Sequence, residues 1–372
     1  MYRDCYSNRT IALVIFAHDE AAIIRDTVLS ARQAVGKRDG LFVIADNCTD
    51  LTAEIAREAG AAVLIRENKK HLGKGAALGW FVKYHWHLLR NYRMLVVLDA
   101  DSVIEPDFLA LVRAEIKDGD QVMQCLVKPI GYEHSHISTL IALSELVEQS
   151  MFERIREKLG WPVRLRGTGM VIDPHILYSV AEELQTELED IALTLLMAGK
   201  GIKVKRLETI WVGDPKPTEP ASASRQRARW FRGQWNALWI YRKEIMKIGV
   251  QGLGGWSLLS SLFLKPRWLS LVLGLVLFAI SIPNVFWLGL FGVFLLFNFS
   301  LILAGILKMP ERKIFLKAIV FVPGFVFMWL KSIFLSFQRL PWLRVRALPV
   351  SSARMDFKPT EILKSSEVAE IS

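Results

Sequence analysis

Two acids one residue apart, Asp99-Ala100-Asp101, follow the apolar run Met94–Leu98. Alternate residues on an extended chain point the same way, so both carboxylates can face one cation. A hard ion such as Mg²⁺ or Mn²⁺ takes one or two carboxylates plus phosphate oxygens. Acidic pairs at strand ends also serve as caps or solvated turns, so this pair gains meaning from its company. Gly73-Lys74-Gly75 opens a helical pattern, where backbone N–H groups and one cation suit a phosphate. The GxxxxGK(S/T) spacing of a P-loop is missing. Asp46 and Asn47 are placed either to hydrogen-bond a base edge or to cap a helix over 51–59. Glu187-Leu188-Glu189-Asp190 precedes the apolar run Ile191–Met197, and acids in a first helical turn are ordinary dipole partners. Arg225 to Arg232 is dense in arginine and includes Gln226, Arg229 and Trp230, with Trp235, Trp239 and Tyr241 beyond. Such a segment can bind nucleic acid or membrane. Its place beside long apolar runs favours a juxtamembrane amphipathic helix and no nucleic acid. Arginine also suits pyrophosphate by bidentate contact.

The elements that must position these residues read as a βα series. Strands are predicted at Ile11–Phe16, Leu41–Ala45, Ala61–Ile65 and Met94–Leu98, and helices at 20–35, 51–59, 75–90 and 107–117. That alternation predicts a parallel α/β sheet whose strand carboxyl ends share one edge. After the first strand comes Ala17-His18-Asp19-Glu20, and after the second Asp46-Asn47-Cys48-Thr49-Asp50. Glu67-Asn68 and His71-Leu72-Gly73-Lys74-Gly75 follow the third, and Asp99-Ala100-Asp101 the fourth. Every polar cluster therefore falls at a ligand-binding edge. Trp211 to Pro220, rich in proline, reads as a loop.

Composition limits the remaining classes. Of 372 residues 52% are hydrophobic and 23% charged, which excludes disorder over most of the chain. Three cysteines, Cys5, Cys48 and Cys125, form no CxxC and read as thiols in a reducing compartment. The polar start, Met1 to Thr10, predicts no signal peptide. A net charge of +10 suggests a negatively charged partner such as anionic lipid or a phosphorylated substrate. From Trp268 to Leu307 no residue is charged, and Pro283-Asn284 interrupts the run. Two membrane helices are predicted, over 266–282 and 285–307. A third apolar run, 318–338, contains Pro323-Gly324 and Lys331 and either crosses or re-enters. The basic loop with Lys308, Arg312, Lys313 and Lys317 predicts that it and the N-terminal domain face the cytosol. The tail with Arg339, Arg344, Arg346, Arg354 and Lys358 is also basic, so either 318–338 does not cross or 252–264 crosses as well.

Taken in order, these motifs resemble the family 2 glycosyltransferases with C-terminal membrane helices, a group that includes cellulose, chitin and hyaluronan synthases and ceramide glucosyltransferase. Phe16-Ala17-His18-Asp19-Glu20 is similar to the family's P-A-(H/Y)-N-E opening, and Ala45 to Asp50 to its D-D-x-S-x-D loop. Asp99-Ala100-Asp101 is similar to the DxD, Glu189-Asp190 to the (T/E)-E-D motif, and Gln226, Arg229 and Trp230 to QxxRW. Gly167-Thr168-Gly169-Met170 falls where the family has a glycine-rich acceptor loop, with a loose match. The resemblance covers residues 10 to 240. Departures are Phe16 for proline, Asp19 for asparagine, and Ala45 for the first acid of the base loop.

The resemblance implies a GT-A-like, Rossmann-type nucleotide-sugar domain over 1–222. A QxxRW and interfacial segment would follow over 223–264, a membrane region over 265–338 and a basic tail over 339–372. It implies an inverting, Mg²⁺- or Mn²⁺-dependent hexosyl- or N-acetylhexosaminyltransferase. Asp46, Lys74, Asp99 and Glu20 would bind the nucleotide-sugar, a UDP-sugar by expectation, and Asp101 with Asp99 the metal. Asp190, with Glu189, would provide base catalysis. Gln226, Arg229 and Trp230 would hold pyrophosphate and acceptor. The acceptor would be membrane-borne: a lipid, a lipid-linked saccharide or a growing polysaccharide exported by a partner. The protein would be multi-pass, with its catalytic domain on the cytosolic face of a membrane, the cell membrane if bacterial.

Other readings stay open at this level. His85-Trp86-His87 and His134-Ser135-His136 suggest zinc, but i and i+2 do not share a helix face and no partner has ligand spacing. No GxSxG elbow supports a hydrolase. A nucleotidyltransferase would leave Glu189-Asp190, QxxRW and the apolar helices unexplained. A catalytically silent membrane protein that binds a nucleotide-sugar or an assembly partner would need no base at Asp190.

Overall fold

The computed structural model describes residues 10–184, 186–263, 267–307 and 311–338, with backbone alone for 267–270. Cys5 and the basic tail over 339–372 lie outside the described residues. The expected series is present: β1 (Ile11–Ala17), α1 (Ile24–Ala34), β2 (Gly40–Asp46), α2 (Thr52–Glu58), β3 (Ala62–Arg66), α3 (Lys74–Tyr84), α4 (Trp86–Leu89), β4 (Met94–Asp99) and α5 (Phe108–Glu115). Each of β1, β2 and β4 is a short run of aliphatic and β-branched residues buried on both faces, the pattern that a parallel strand between helix layers requires. Beyond α5 come β5 (Val122–Ile130), α6 (His136–Val147), a π-helical turn (Glu148–Glu153), α7 (Arg154–Lys158), β6 (Met170–Ile172), α8 (Pro174–Val180), α9 (Glu189–Gly199) and β7 (Val204–Pro215).

The strand order is β3-β2-β1-β4-β6-β5-β7. β1 to β4 are mutually parallel, as is the β5–β7 pair, while β6 runs antiparallel to both of its neighbours. The sheet is therefore mixed. The segment Trp211–Pro215, expected as loop, is instead the end of β7, paired with Leu126 to Ile130 of β5. Two cores fill the faces. One joins Val14, Leu95 and Val97 to α3, α8 and α9, and the other joins Leu13, Val96 and Leu98 to α1 and α5.

The C-terminal part is helical: α10 (Pro220–Ile240), α11 (Arg242–Gly249), α12 (Leu253–Phe263), α13 (Arg267–Ile280), α14 (Val285–Leu307), α15 (Arg312–Ala318) and α16 (Val322–Ser336). α10 runs unbroken through the boundary expected at 222/223. α14 matches the expected span 285–307. The other expected span, 266–282, is a helix of 14 residues. It adjoins residues 264–266, which lie outside the described residues. The third apolar run is the longer one: Arg312–Ser336 is helical over 25 residues, passing through a 3-10 turn at Ile319–Phe321 just before Pro323 in the first turn of α16. Among the described residues, the two helices long and apolar enough to cross a membrane are thus 285–307 and 312–336. Both pack on the α/β domain, through a third core that joins Leu140 and Val147 of α6, Phe231 of α10, Ile302 and Ile306 of α14, and Phe325 and Trp329 of α16.

Candidate active site

Register pairs Phe16 with Asp99, Ala17 with Ala45, and Asp46 with Arg66, so the polar segments after the first four strands share one rim. The reversed direction of β6 brings its leading end, Gly167-Thr168-Gly169, to that same rim. The Gly169 N–H donates to Val97 O at 2.9 Å, and its carbonyl accepts from the Cys125 N–H at 2.9 Å. Its φ of +70° is a conformation that glycine adopts without penalty.

Lys74 stands at the centre. Its Nζ lies 2.5 Å from Asp99 Oδ1, 2.5 Å from the Gly167 carbonyl and 3.2 Å from Glu189 Oε1. Burial works against this charge, but Asp99 and Glu189 overcome it and raise the Lys74 pKa above its ordinary value. The flanking glycine explains how α3 comes so near. A Cβ at Gly75 would lie 2.4 Å from the Thr186 carbonyl oxygen, so only glycine lets α3 close on the segment that leads to Glu189. A phosphate cradle was the sequence expectation for Gly73-Lys74-Gly75. In the structure the lysine is held by two carboxylates.

Around Lys74 the acids gather. The Asp99 N–H donates to Ser102 Oγ at 3.1 Å, and Ser102 Oγ lies 2.7 Å from Thr168 Oγ1. Burial, then the charges of Asp214, Asp99 and Glu20, push the Asp101 carboxyl well above the usual range. Burial lifts Glu189 to about 7, with Asp190 and Asp99 adding to the effect and Lys74 opposing it. Asp190 is raised by burial, and Arg164, with Nη2 3.6 Å from Asp190 Oδ2, opposes that shift. The other oxygen, Asp190 Oδ1, accepts from the Ile191 N–H at 2.8 Å. On α10, burial lowers Arg229, and the charges of Glu187, Asp99, Glu189 and Glu20 oppose that shift, so the arginine feels the same acids. Gln226 and Trp230, one turn apart on α10, are half-buried.

Asp46 sits farther along the rim. Its Oδ1 accepts from Arg66 Nη1 at 2.5 Å and from Asn47 Nδ2 at 2.9 Å, and Arg66 Nη2 donates to the His71 carbonyl at 2.6 Å. Neither Asp46 nor Asn47 caps α2. Asp50 does that work, its Oδ1 accepting from the Thr52 N–H at 3.0 Å. Asp19, Cys48 and Asp50 bring ligand atoms within 4.8 Å of one another. Their bonds are structural: Asp19 Oδ1 accepts from the Thr49 N–H at 2.6 Å, and Asp50 Oδ2 from the Ala21 N–H at 3.2 Å.

Several residues of the site were not singled out from the sequence. Arg164 and Arg166 precede the glycine loop, and Arg166 Nη2 lies 2.8 Å from Glu153 Oε1 of the π-helical turn. Lys216 Nζ joins Asp214 Oδ2 at 2.6 Å and Glu145 Oε2 at 2.5 Å. The alternation Arg164-x-Arg166 and Asp214-x-Lys216, each marking one side of an extended chain, was the available signal. Asp99 and Asp101 sit within the electrostatic reach of Glu20 and Asp214, and carboxylate oxygens are the donor type that suits a hard cation such as Mg²⁺ or Mn²⁺.

A family model described as Glycosyl transferase family group 2 matches residues 94–307, from β4 and the DxD through α14, and the chain belongs to that family. Its mixed α/β domain is of the GT-A kind. Among solved structures, a mannosyltransferase from Pyrobaculum calidifontis in complex with GDP-Man and Mn²⁺ is 13% identical, with 89% of this chain and 88% of that one covered and a TM-score of 0.47. Glucosyl-3-phosphoglycerate synthase from Mycobacterium tuberculosis, in complex with Mn²⁺, UDP and phosphoglyceric acid, is 21% identical over 56% of this chain and 70% of that one, with a TM-score of 0.36. No curated protein matches the chain significantly.

Proposed function

We propose that this glycosyltransferase moves a hexosyl or N-acetylhexosaminyl group, with inversion, from a UDP-sugar to a hydroxyl of a membrane-borne lipid or saccharide. The observation that carries this reading is the convergence of Lys74, Asp99, Asp101, Glu189 and Arg229 on one rim, with Asp190 beside them. Asp99 and Asp101 would hold Mg²⁺ or Mn²⁺, and that ion would neutralise charge on the departing diphosphate. Lys74 and Arg229 add fixed positive charge on the same side. Asp46, braced by Arg66, would present its free oxygen to the base. Asp190 is suited to general base work because burial raises its pKa, so it takes a proton more readily than an exposed aspartate. Glu189 would orient Lys74 and not attack, since Oε1 is already committed to the ammonium.

The helices 285–307 and 312–336 support a membrane location. The basic residues Arg312, Lys313 and Lys317 at the start of the second support a cytosolic face for the loop before it, and the rim shares that face when the 267–280 segment crosses as well as 285–307. A lipid or lipid-linked acceptor would then approach along the bilayer, and a polymer product would require an export partner.

The test is transfer by isolated membranes from a panel of UDP-sugars, with GDP-mannose as contrast, in Mg²⁺ or Mn²⁺, in EDTA, and with Asp190→Asn. Metal-dependent labelling of a lipid or polymer fraction, lost in EDTA and in Asp190→Asn, is expected. Transfer that survives Asp190→Asn would remove the base from the reading.

A further inference from the structure

Arg227 is the largest side chain in the described part of the protein with almost no exposure, at 1%. It sits on α10 one residue from Gln226 and two from Arg229, yet it points away from the rim. Its guanidinium lies 4.6 Å from the ring centroid of Trp329 and 5.6 Å from that of Phe325, both on α16. Nη1 donates to the Ala223 carbonyl at 3.2 Å within its own helix, and Nε has no hydrogen-bond partner among the described residues. The carboxylate whose charge reaches it is Glu145, which is itself bound to Lys216. A buried cation on two aromatic rings is a poor choice for stability alone, since an apolar residue of similar volume is usually as good or better there.

α10 is fixed to α16 at two further points. Phe231 meets Trp329 edge-on, with centroids 5.5 Å apart, and Arg232 Nε donates to the Ser336 carbonyl at 3.3 Å. On a helix, 227 and 231 share one side, while 226 and 230 share another, turned by about 100°. α10 is thus gripped by a candidate membrane helix on one side and offers its motif residues on the other.

We propose that Arg227 is a positioning residue that locks the rotation of α10 onto α16, so that the seating of the 312–336 helix sets where the motif residues Gln226, Arg229 and Trp230 stand. This rests on the reading that Arg229 serves the donor. The test uses the full chain in detergent with Arg227→Met, Arg227→Lys, Trp329→Ala, Trp329→Phe and the double variant Arg227→Met/Trp329→Ala. Amide hydrogen exchange over 225–235 reads the lock, and calorimetric binding of UDP with Mn²⁺ reads the site. Arg227→Met and Trp329→Ala each speed exchange and weaken UDP at least about tenfold, and the double variant does little more than either, because both remove one interaction. Arg227→Lys and Trp329→Phe, which keep a cation and a ring, stay within about threefold of the parent. Unchanged exchange in both single variants, or losses that add in full, would overturn the proposal. If the parent chain does not bind UDP, the donor reading fails while hydrogen exchange still decides the lock. If Arg227→Met does not fold, Trp329→Ala against Trp329→Phe carries the same comparison.

Discussion

Glu189 should make the protein less stable as the solution becomes more alkaline. Its pKa is lifted from 4.5 to about 7, chiefly by burial and then by Asp190 and Asp99, against the pull of Lys74. A carboxyl raised in the folded state contributes stability that is fully present below its unfolded pKa and is lost as pH climbs through the folded value. The window is therefore pH 4.5 to 7, and at about 1.4 kcal/mol per unit the loss is about 3 kcal/mol. Glu189→Gln substitutes a group that cannot ionise, and Lys74 keeps Asp99 at 2.5 Å as its partner. Urea unfolding of both proteins in detergent, followed by tryptophan fluorescence at several pH values, is the assay. Glu189→Gln should match the parent near pH 4.5 and exceed it by up to about 3 kcal/mol at pH 8, while its transfer activity falls. A variant less stable than the parent at pH 8 would show that the Lys74 pair outweighs the burial of the charge, and the reasoning would be wrong.

Three further outcomes are expected. Asp190→Asn should lower the transfer rate by about 10²- to 10⁴-fold while UDP binding, measured by calorimetry, stays near the parent value. Gly75→Ala sets a Cβ 2.4 Å from the Thr186 carbonyl, so it should displace the segment before Glu189, cost about 1–3 kcal/mol in urea unfolding and depress activity. Alkaline carbonate washing of cell membranes should leave the protein in the pellet, because 285–307 and 312–336 are long and apolar enough to hold it there; release into the supernatant would contradict that.

The first half of the sheet was legible because β1 to β4 are short apolar runs bounded by polar turns, a pattern that both strand and partner layer impose. Asp99-Ala100-Asp101 could be read because it ends such a run. The second half was not. β6 has only three residues, too few for any periodicity to register, and its reversal is fixed by pairing with β4 and β5 and not by its own side chains. Trp211–Pro215 carries proline and glycine, which signal a loop locally, yet pairing with β5 makes it strand. The buried charges of 148–166 resemble surface polarity in sequence, because only the fold shows that Glu153 and Arg166 face each other.

The reversed β6 also dictates an order of events at the ribosome. β4 is synthesised before β5, but β5 cannot be its neighbour; the place beside β4 is reserved for residues 170–172. Until those residues emerge, the nascent chain carries β4 with one row of amide and carbonyl groups unpaired, flanked by Val96 and Val97. An open apolar edge of this kind is a template for pairing with other chains. The long stretch from α5 to β6 is therefore made while that edge stands open, and the apolar helices that begin at residue 253 emerge too late to shield it.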